Sequence, residues 1–206
     1  MTLRLDFCSA EAARFACEKW HYSKSLPAGK SVKIGVWENE KFIGAVIFSQ
    51  GANRNIARPY SLKMHQVCEL VRVALTKHVA PVSRIMAISL KMVKKTCPGL
   101  RLIVSYADCD QNHHGGIYQA TNWVYVGMTA IDITSFLIDG KKTHPRTIAG
   151  LFGTNKIDVL KKKCKNIQMQ KSIGKHKYLM PLDDEMAGII AKKALPYPKR
   201  APVVQE

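Results

Sequence analysis

The chain has 206 residues, of which 47% are hydrophobic, and it carries a formal net charge of +17. This hydrophobic content excludes a disordered chain, because it is sufficient for a buried core. The apolar runs are shorter than the roughly 18 residues of a membrane span, and acidic residues interrupt the N-terminal region where a secretion signal would be apolar. Six dispersed cysteines without paired metal-binding spacing predict reduced thiols in a soluble, cytoplasmic protein.

The positive charge is concentrated in one part of the chain. Residues 141–180 contain 11 Lys or Arg against one acidic residue, whereas residues 1–140 contain 17 against 10. Such a field favours a polyanionic partner, most commonly nucleic acid and less commonly acidic lipid. We therefore expect a main core at 1–140, a basic extension packed on it at 141–182, and a partly flexible tail at 183–206 that is frayed over 196–202.

The first hundred residues predict alternating strands and helices, because period-two stretches alternate with capped, helical ones. The predicted elements are a strand at Leu3–Phe7, a helix from the cap Ser9 to Trp20, a hairpin of Val32–Trp37 with Phe42–Phe48, a strand at Cys68–Leu75, and a helix from the cap Ser83 to Thr96. Between the hairpin and the next strand, the polar loop at 51–60 presents Arg54 and Arg58 to an external partner.

Arg72 is unusual in its predicted strand. Alternation places it on one face with Leu70 and Ala74, and Val71, Val73 and Leu75 on the other. It is an edge arginine, an arginine tied to nearby Glu69, or a ligand-facing residue, and the sequence leaves these alternatives open.

The chemically richest stretch is Ser105–Trp123. It follows Arg101–Val104, an apolar run typical of an inner parallel strand, so strand, helix and strand predict a right-handed βαβ crossover. Ser105, Tyr106 and Asp108 would then lie at the carboxyl end of the strand, where open α/β sheets bind ligands. The alternative is a plain loop, since the same residues also favour turns.

The remaining sequence predicts strands at Trp123–Met128 and Ser135–Ile138, the second followed by an Asp-Gly turn, and then a basic helix. Over Thr154–Lys171, apolar residues recur at helical spacing, which indicates an amphipathic helix docked by one face. Its lysines either contact phosphates or form a solvated surface, and their basic neighbours favour phosphate contact. The expected nucleic-acid contacts here are Lys141, Lys142, Arg146, Lys161, Lys162, Lys163 and Lys165.

The order of elements resembles the GNAT acyltransferase architecture, which implies an α/β fold with a mixed, largely antiparallel sheet, a central parallel crossover, flanking helices and here a basic C-terminal helical extension. Ile117–Trp123 resembles that family's short helix and following turn, and Tyr118 matches its proton-donating tyrosine. The chain departs from the family at Thr76–Arg84, where a glycine-rich turn would hold the pyrophosphate of acetyl-CoA. Ordinary acetyl-CoA binding is therefore not expected.

Five motifs together are similar to the Mom family of phage DNA-modification proteins, a divergent GNAT-like branch. They are WHYS at 20–23, ELVRVAL at 69–75, PVSR at 81–84, SYAD at 105–108 and HHGGIYQATNW at 113–123. The resemblance implies an enzyme in the bacterial host cytoplasm that converts adenine in double-stranded phage DNA to N6-carbamoylmethyladenine, protecting the genome from restriction. It also implies iron(II), a donor that is acyl-CoA-like or tRNA-linked, and catalytic roles for His21, Tyr22, Arg72, Ser105, Asp108 and Tyr118.

Chemistry suggests roles for these residues. Asp108 or His21 would accept a proton, Tyr118 would donate one, and Arg72, with Ser83 and Arg84, would bind an anionic donor. A flipped adenine would need a stacking surface, for which Tyr22, Tyr60, Tyr106 and Trp123 are candidates, with core packing favoured for Trp123. Candidate iron ligands are His21, Asp108, His113 and His114, although adjacent histidines rarely bind one ion. The other histidines, His65, His78, His144 and His176, are expected at the surface.

Two other classes of function stay open at this point. One is an acyl- or aminoacyl-transferase acting on another amine, and the other is a non-catalytic DNA-binding protein on the same scaffold. The glycine pair Gly115–Gly116 is expected to be a flexible, uncrowded approach to the helix that carries Tyr118.

Overall fold

The computed structural model describes residues 1–51, 53–129, 133–143, 145–171 and 173–199. The strands are β1 (Leu3–Phe7), β2 (Ser31–Glu38), β3 (Lys41–Ser49), β4 (Val67–Leu75), β5 (Leu102–Asp108), β6 (Val124–Met128), β7 (Ile133–Ile138), β8 (Lys141–Thr143), β9 (Ile167–Lys171) and β10 (Lys175–Pro181). The helices are α1 (Ala10–Trp20), α2 (Val82–Thr96), α3 (Gly116–Gln119), α4 (Pro145–Phe152), α5 (Ile157–Lys163) and α6 (Asp184–Ala191). None of these helices is long and apolar enough to cross a bilayer.

Two compact units divide the chain. The larger unit comprises residues 1–106, 115–127 and 177–206, and the smaller unit comprises residues 107–114 and 128–176. The division follows contacts in space, so it falls inside β5, β6 and β10 rather than between elements. Residues 141–176 of the basic segment belong to the smaller unit, and residues 177–182 belong to the larger one.

Seven strands of the described chain form one sheet in the order β1-β2-β3-β4-β5-β10-β6. The first four pair antiparallel with their neighbours, and β4 pairs in parallel with β5 across α2. This parallel pair confirms the predicted crossover, because parallel strands need a long connection. Leu102, Ile103 and Val104 are fully buried, as expected for a strand with neighbours on both sides.

Local signals explain the N-terminal elements. Ser9 caps α1, its side chain accepting a hydrogen bond from the amide of Ala12, a contact worth about 1 kcal/mol. The hairpin of β2 and β3 turns at Asn39 and Glu40, whose φ angles are 48° and 62°. Two successive positive φ angles define the turn type that matches the twist of paired strands. The predicted strands, helix and hairpin in this region are confirmed.

A β-bulge in β4 overturns the predicted alternation around Arg72. Ile47 pairs with Arg72 and Phe48 pairs with Leu70, so Val71 has no opposite residue. Because Ile47 and Phe48 face opposite sides of the sheet, Leu70 and Arg72 do so as well. Arg72 therefore shares a face with Glu69, which pairs with Ser49, and not with Leu70.

The predicted helix at Thr154–Lys171 is wrong beyond Lys163. Helix α5 ends there, and Ile167–Lys171 forms strand β9, which pairs antiparallel with β7. Together with β8 these strands make a second, three-stranded sheet in the smaller unit, in the order β8-β7-β9. Helices α4 and α5 supply Ile148 and Leu160 to a core with Phe136 and Ile167. The partner strand supplies backbone hydrogen bonds that periodicity within the segment could not reveal.

Two further predictions about element ends are corrected. Helix α2 begins after Pro81, so Ser83 lies within its first turn and does not cap it. Residues 196–202 were expected to be a frayed end, yet the phenol of Tyr197 donates to the carbonyl of Trp123 at 2.8 Å. Residues 200–202 lie outside the described part of the chain.

Candidate active site

The larger unit has a polar group where β4 and β5 part. The parallel pairing runs from Val67 opposite Leu102 to Glu69 opposite Val104. At the next position, the side chain of the fully buried Ser105 makes the contact between the two strands, with its Oγ 2.8 Å from the carbonyl oxygen of Leu70. β5 continues to Asp108, so Ser105 and Asp108 lie within the strand rather than in a loop after it.

Tyr118 completes this group. Its hydroxyl lies 2.8 Å from the Ser105 Oγ. Ser105 has one hydroxyl hydrogen, and the Leu70 carbonyl can only accept, so Ser105 donates to Leu70 and the phenol of Tyr118 donates to Ser105. The structure therefore forms a directed chain from Tyr118 through Ser105 to Leu70, with the Tyr118 oxygen keeping its acceptor capacity.

Aromatic packing holds the Tyr118 ring. Its centroid lies 5.1 Å from that of Trp123 and 5.0 Å from that of Tyr178, and both neighbours are fully buried. Burial raises the pKa of Tyr118 to about 12, and the Ser105 hydrogen bond opposes this only in part. Tyr118 is therefore a protonated phenol at neutral pH, which is the state that a proton donor needs.

Gly115 is crowded, contrary to the expectation of an uncrowded approach to α3. Its φ of +87° is unfavourable for residues with a side chain, and a Cβ there would lie 2.5 Å from Tyr178 Cζ and 2.6 Å from its hydroxyl oxygen. Glycine is thus required twice, by its backbone conformation and by the Tyr178 ring. The close approach helps to fix the ring that Tyr118 packs against.

His21 and Tyr22 follow α1 and differ in exposure. His21 is 9% exposed, and its Nδ1 accepts from the Ser23 amide at 3.1 Å and lies 2.8 Å from the Ser23 hydroxyl oxygen. An accepting Nδ1 places the proton of a neutral imidazole on Nε2. Tyr22 is 46% exposed, and its ring centroid lies 4.3 Å from that of His21. Tyr22 is thus an accessible aromatic surface beside a histidine of defined tautomer.

The other stacking candidates of the larger unit are mostly buried. Tyr60 is 5% exposed and packs in one core cluster with the partly buried Tyr106, and burial raises the pKa of both phenols. Trp123 is fully buried, as expected, and within the described residues its indole N–H has no acceptor. Tyr22 is therefore the best placed of the four for stacking.

Arg72 uses its guanidinium on backbone carbonyls. Nη1 donates to the carbonyl of Val71 at 2.7 Å, and Nε donates to the carbonyl of Ser25 at 3.4 Å. These contacts fix the side chain on the α1 side of the sheet, and no hydrogen bond of Nη2 is seen within the part of the chain that the structure describes. β4 lies between β3 and β5 in the sheet, and the described residues show no ion pair between Arg72 and Glu69.

The backbone amides of the turn before α2 bind a carboxylate of the protein itself, that of Glu38. The carboxylate of Glu38 accepts from the amide of Ala80 at 2.7 Å and from that of Val79 at 3.1 and 3.2 Å. These two hydrogen bonds lower the pKa of Glu38. Ser83 and Arg84, predicted to bind the donor, lie in the first turn of α2, with Arg84 exposed.

Asp108 belongs to the smaller unit and is ion-paired. Its Oδ2 lies 2.9 Å from Lys175 Nζ, and its Oδ1 accepts from the amide of Asp110 at 3.1 Å. Asp110 in turn accepts from the amide of Ile173 at 3.1 Å. The carboxylate of Asp108 is thus oriented by two partners, which suits a fixed hydrogen-bond acceptor.

The histidines of the smaller unit include one that sequence reasoning placed at the surface. His176 is partly buried, and burial together with the nearby His114 lowers its pKa. His113 donates its backbone amide to the carbonyl of Asp108 at 3.1 Å. Among the described residues, no three His, Cys, Asp or Glu are arranged to hold a metal ion. The iron requirement stays a prediction, and no step below depends on it.

The predicted nucleic-acid contacts are exposed wherever their side chains are described. Arg54 and Arg58 lie on the surface of the larger unit. In the smaller unit the exposed lysines are Lys161, Lys162, Lys163 and Lys165, of which Lys163 donates to the carbonyl of Phe152 at 3.3 Å. The side chains of Lys141, Lys142 and Arg146, and all of His144, lie outside the described part of the chain.

Sequence reasoning did not predict the observed contacts of four residues near these groups. Glu38, Tyr178 and Lys175 act on distant partners, so nothing in their local sequence marks them. Glu69 was considered only as a partner of Arg72, yet its carboxylate lies against the backbone of Gly51, where a Cβ would collide with it. In the sequence, this contact is marked only by a glycine at position 51, shortly after β3. The positive φ of Gly51, +70°, is visible only in the structure.

The fold is that of the GNAT acyltransferases: a mixed sheet with one parallel pair, which parts beside a tyrosine from a short helix. The structure is similar to one assigned as a phosphinothricin N-acetyltransferase, with a TM-score of 0.50 and 9% identity over 89% of this chain and 100% of that one. It is also similar to spermidine/spermine N-acetyltransferase SpeG from Vibrio cholerae in complex with manganese ions, with a TM-score of 0.46 and 12% identity over 92% and 96%.

Within this class, the chain belongs to the Mom protein family, whose family model matches residues 2–199. It is 27% identical over 150 residues to the methylcarbamoylase mom of Escherichia phage Mu. That match covers 71% of this chain and 61% of the phage Mu protein.

Proposed function

We propose that this protein is a transferase that modifies adenine in double-stranded phage DNA to N6-carbamoylmethyladenine, and so protects that DNA from restriction. The observation that carries the proposal is the hydroxyl chain from Tyr118 through Ser105 to Leu70, placed where β4 and β5 part. Membership of the Mom family and similarity to a methylcarbamoylase support this particular reaction.

The product constrains the chemistry. Attack of an amine on an acyl carbonyl forms a bond between nitrogen and a carbonyl carbon, whereas carbamoylmethyladenine joins N6 to a methylene carbon. The N6–carbon bond therefore forms as the methylene carbon releases its leaving group with the bonding electrons, and N6 loses a proton. Because the adenine amine is a weak nucleophile, the enzyme must remove that proton and stabilise the leaving group.

The residues of the site divide this work. Tyr118 turns its phenol hydrogen from Ser105 to the leaving group, and the Ser105 hydroxyl can then donate to the resulting phenolate oxygen. Asp108, oriented by Lys175 within the smaller unit, is kept from the family resemblance as the candidate acceptor of the N6 proton. Tyr22 stacks on the flipped base, and Arg72 presents its remaining donors to an anionic part of the donor. His21, as the Nε2–H tautomer, serves as a hydrogen-bond donor rather than as the base.

The donor differs from acetyl-CoA in how it is bound. The Val79 and Ala80 amides, which would suit a pyrophosphate, already bind the Glu38 carboxylate. We therefore favour a donor whose charge is recognised elsewhere, with Ser83 and Arg84 as candidate contacts.

Expression in bacteria, followed by mass spectrometry of DNA nucleosides, tests the activity. N6-carbamoylmethyl-2′-deoxyadenosine and its isomer N6-glycyl-2′-deoxyadenosine have the same mass, so chromatography against both synthetic standards is needed to separate a carbamoylmethyl transfer from an acyl transfer. We expect the first product with the wild-type chain. The glycyl product would show acyl transfer instead, and unmodified DNA from soluble, iron-supplied protein that binds DNA would favour a binding protein.

Replacing the phenol tests the role of Tyr118. Tyr118→Phe keeps the ring packing and removes the hydroxyl, so we expect the modified fraction of adenine to fall by about a hundredfold or more. Tyr125→Phe is the matched control, because Tyr125 is also buried and packs on Tyr178 with ring centroids 5.3 Å apart. Equal activity of the two variants would remove Tyr118 from the reaction.

The DNA contact of α5 is tested by salt dependence. Converting Lys161 and Lys162 to Gln should reduce the slope of log affinity against log salt by about 1.8, since each phosphate contact contributes about 0.9. Lys192 and Lys193, also adjacent and exposed but on the larger unit, provide the control pair. The same slope in both double variants would make the α5 lysines a solvated surface.

A further inference from the structure

The segment Leu195–Pro198, which we call the C-terminal strap, is bonded to the larger unit at three points. The Leu195 amide donates to the carbonyl of Tyr125 at 2.9 Å. The phenol of Tyr197 donates to the carbonyl of Trp123 at 2.8 Å, and the carbonyl of Pro198 accepts from Gln119 Nε2 at 3.1 Å. Two of the three bonds go to residues on either side of the turn that follows Tyr118.

Gln119 connects the strap to the ring beneath Tyr118. Its Nε2 also lies 3.1 Å from the hydroxyl oxygen of Tyr178. An amide group has two N–H hydrogens, so one donates to Tyr178 and the other to Pro198. A single side chain adjacent to Tyr118 thus joins a core tyrosine to the strap.

Helix α3 needs such external support. It has four residues, and a helix of one turn does not form by itself because nucleation costs more than its few hydrogen bonds return. The turn after it closes on Tyr118, whose carbonyl accepts from the Trp123 amide at 3.0 Å. The bonds to Gln119 and Trp123 therefore fix both ends of the stretch that determines where the Tyr118 hydroxyl lies.

We propose that Gln119 and the C-terminal strap are positioning elements for Tyr118, holding its phenol in hydrogen-bonding distance of Ser105. The role of the phenol in chemistry rests on the proposed function, whereas the clamp itself does not. A displacement of about 1 Å at a reacting group can reduce turnover by about a hundredfold, so even a local loosening should be measurable.

Two substitutions in the full-length chain separate the bonds. In Gln119→Glu the carboxylate can keep a bond to Tyr178 only with the direction reversed, by accepting from the phenol, and it cannot donate to Pro198. In Tyr197→Phe only the bond to Trp123 is lost. Gln119→Ala removes both bonds of the amide. Gln111→Glu is the charge control, since Gln111 is exposed and belongs to the smaller unit.

Hydrogen exchange of the peptide spanning 116–123 is the first measurement. We expect exchange at least about tenfold faster in Gln119→Glu and in Tyr197→Phe, with α2 and the Gln111→Glu control unchanged. Wild-type exchange in Gln119→Glu, with fast exchange only in Gln119→Ala, would overturn the strap and leave Tyr178 as the positioning contact. Wild-type exchange in all three variants would overturn the clamp as a whole.

The second measurement compares DNA modification with DNA affinity. We expect the modified fraction of adenine to fall about tenfold in Gln119→Glu and Tyr197→Phe while DNA affinity stays constant, because the strap acts on turnover rather than on binding. Faster exchange with unchanged modification would overturn the positioning role. If even the wild-type chain leaves adenine unmodified, the proposed function fails, and the exchange data alone decide whether the strap holds α3.

Discussion

Replacing Gly115 with alanine should destabilise the protein by about 2–5 kcal/mol. A residue with a Cβ at positive φ costs about 1–2 kcal/mol, and overpacking a buried ring costs about 1–3 kcal/mol more. The new Cβ would meet Tyr178 Cε2, Cζ and hydroxyl oxygen, and Tyr178 is fully buried, so the ring cannot move away without displacing Tyr118 and Tyr125.

Gly29 provides a control that separates the two costs. Its φ is +90°, close to the +87° of Gly115, but no atom lies within 4 Å of its Cβ position. Gly29→Ala should therefore show the backbone cost of about 1–2 kcal/mol alone. The difference between the two variants isolates the collision with Tyr178.

Urea unfolding followed by circular dichroism measures both variants. The Gly115→Ala midpoint should fall further, with an unchanged slope, and its melting temperature should drop by roughly 2–4 °C per kcal/mol. We also expect Gly115→Ala, but not Gly29→Ala, to lose DNA modification, because Tyr118 packs on the displaced ring. Equal losses of stability in the two variants would refute the reasoning.

Two further predictions concern charged groups of the larger unit. The Arg101 hydrogen bond lowers the pKa of Asp183 to about 2, below its ordinary value of about 3.9, so its stabilising effect is present above pH 4 and lost as the pH falls through about 2. Asp183→Asn should flatten acid unfolding in that window, and an unchanged acid profile would contradict this assignment. Glu38→Ala should free the amides of Val79 and Ala80 and raise the affinity for coenzyme A by at least about tenfold, measured by calorimetry. Glu40→Gln, at an exposed position, is the control and should leave that affinity unchanged. An unchanged affinity in Glu38→Ala would show that Glu38 does not exclude a phosphate.

Local sequence was sufficient for elements whose stabilising contacts lie nearby in the chain. Ser9 and Ala12 are three residues apart, so the cap of α1 could be recognised directly. The hairpin was visible because β2 and β3 alternate and are joined by a short polar turn. The parallel crossover was visible because a buried apolar run followed a segment with helical periodicity.

Long-range contacts decided the rest. The lysine-rich segment has apolar residues at helical spacing, yet the backbone of β7 pairs with Ile167–Lys171 and makes it a strand. Likewise, Val71 has no sequence feature that marks a bulge, and the bulge alone moves Arg72 to the face of Glu69.

The candidate functional residues of each unit show the same division between local and long-range information. The sequence by itself determined which reactive groups are present, above all Ser105, Asp108 and Tyr118, and their membership of a known pattern. Only the tertiary structure decided their states: a buried phenol that donates to Ser105, and a carboxylate held by Lys175. The physical reason is that identity is local, whereas burial, hydrogen-bond direction and pairing depend on residues far away in the chain.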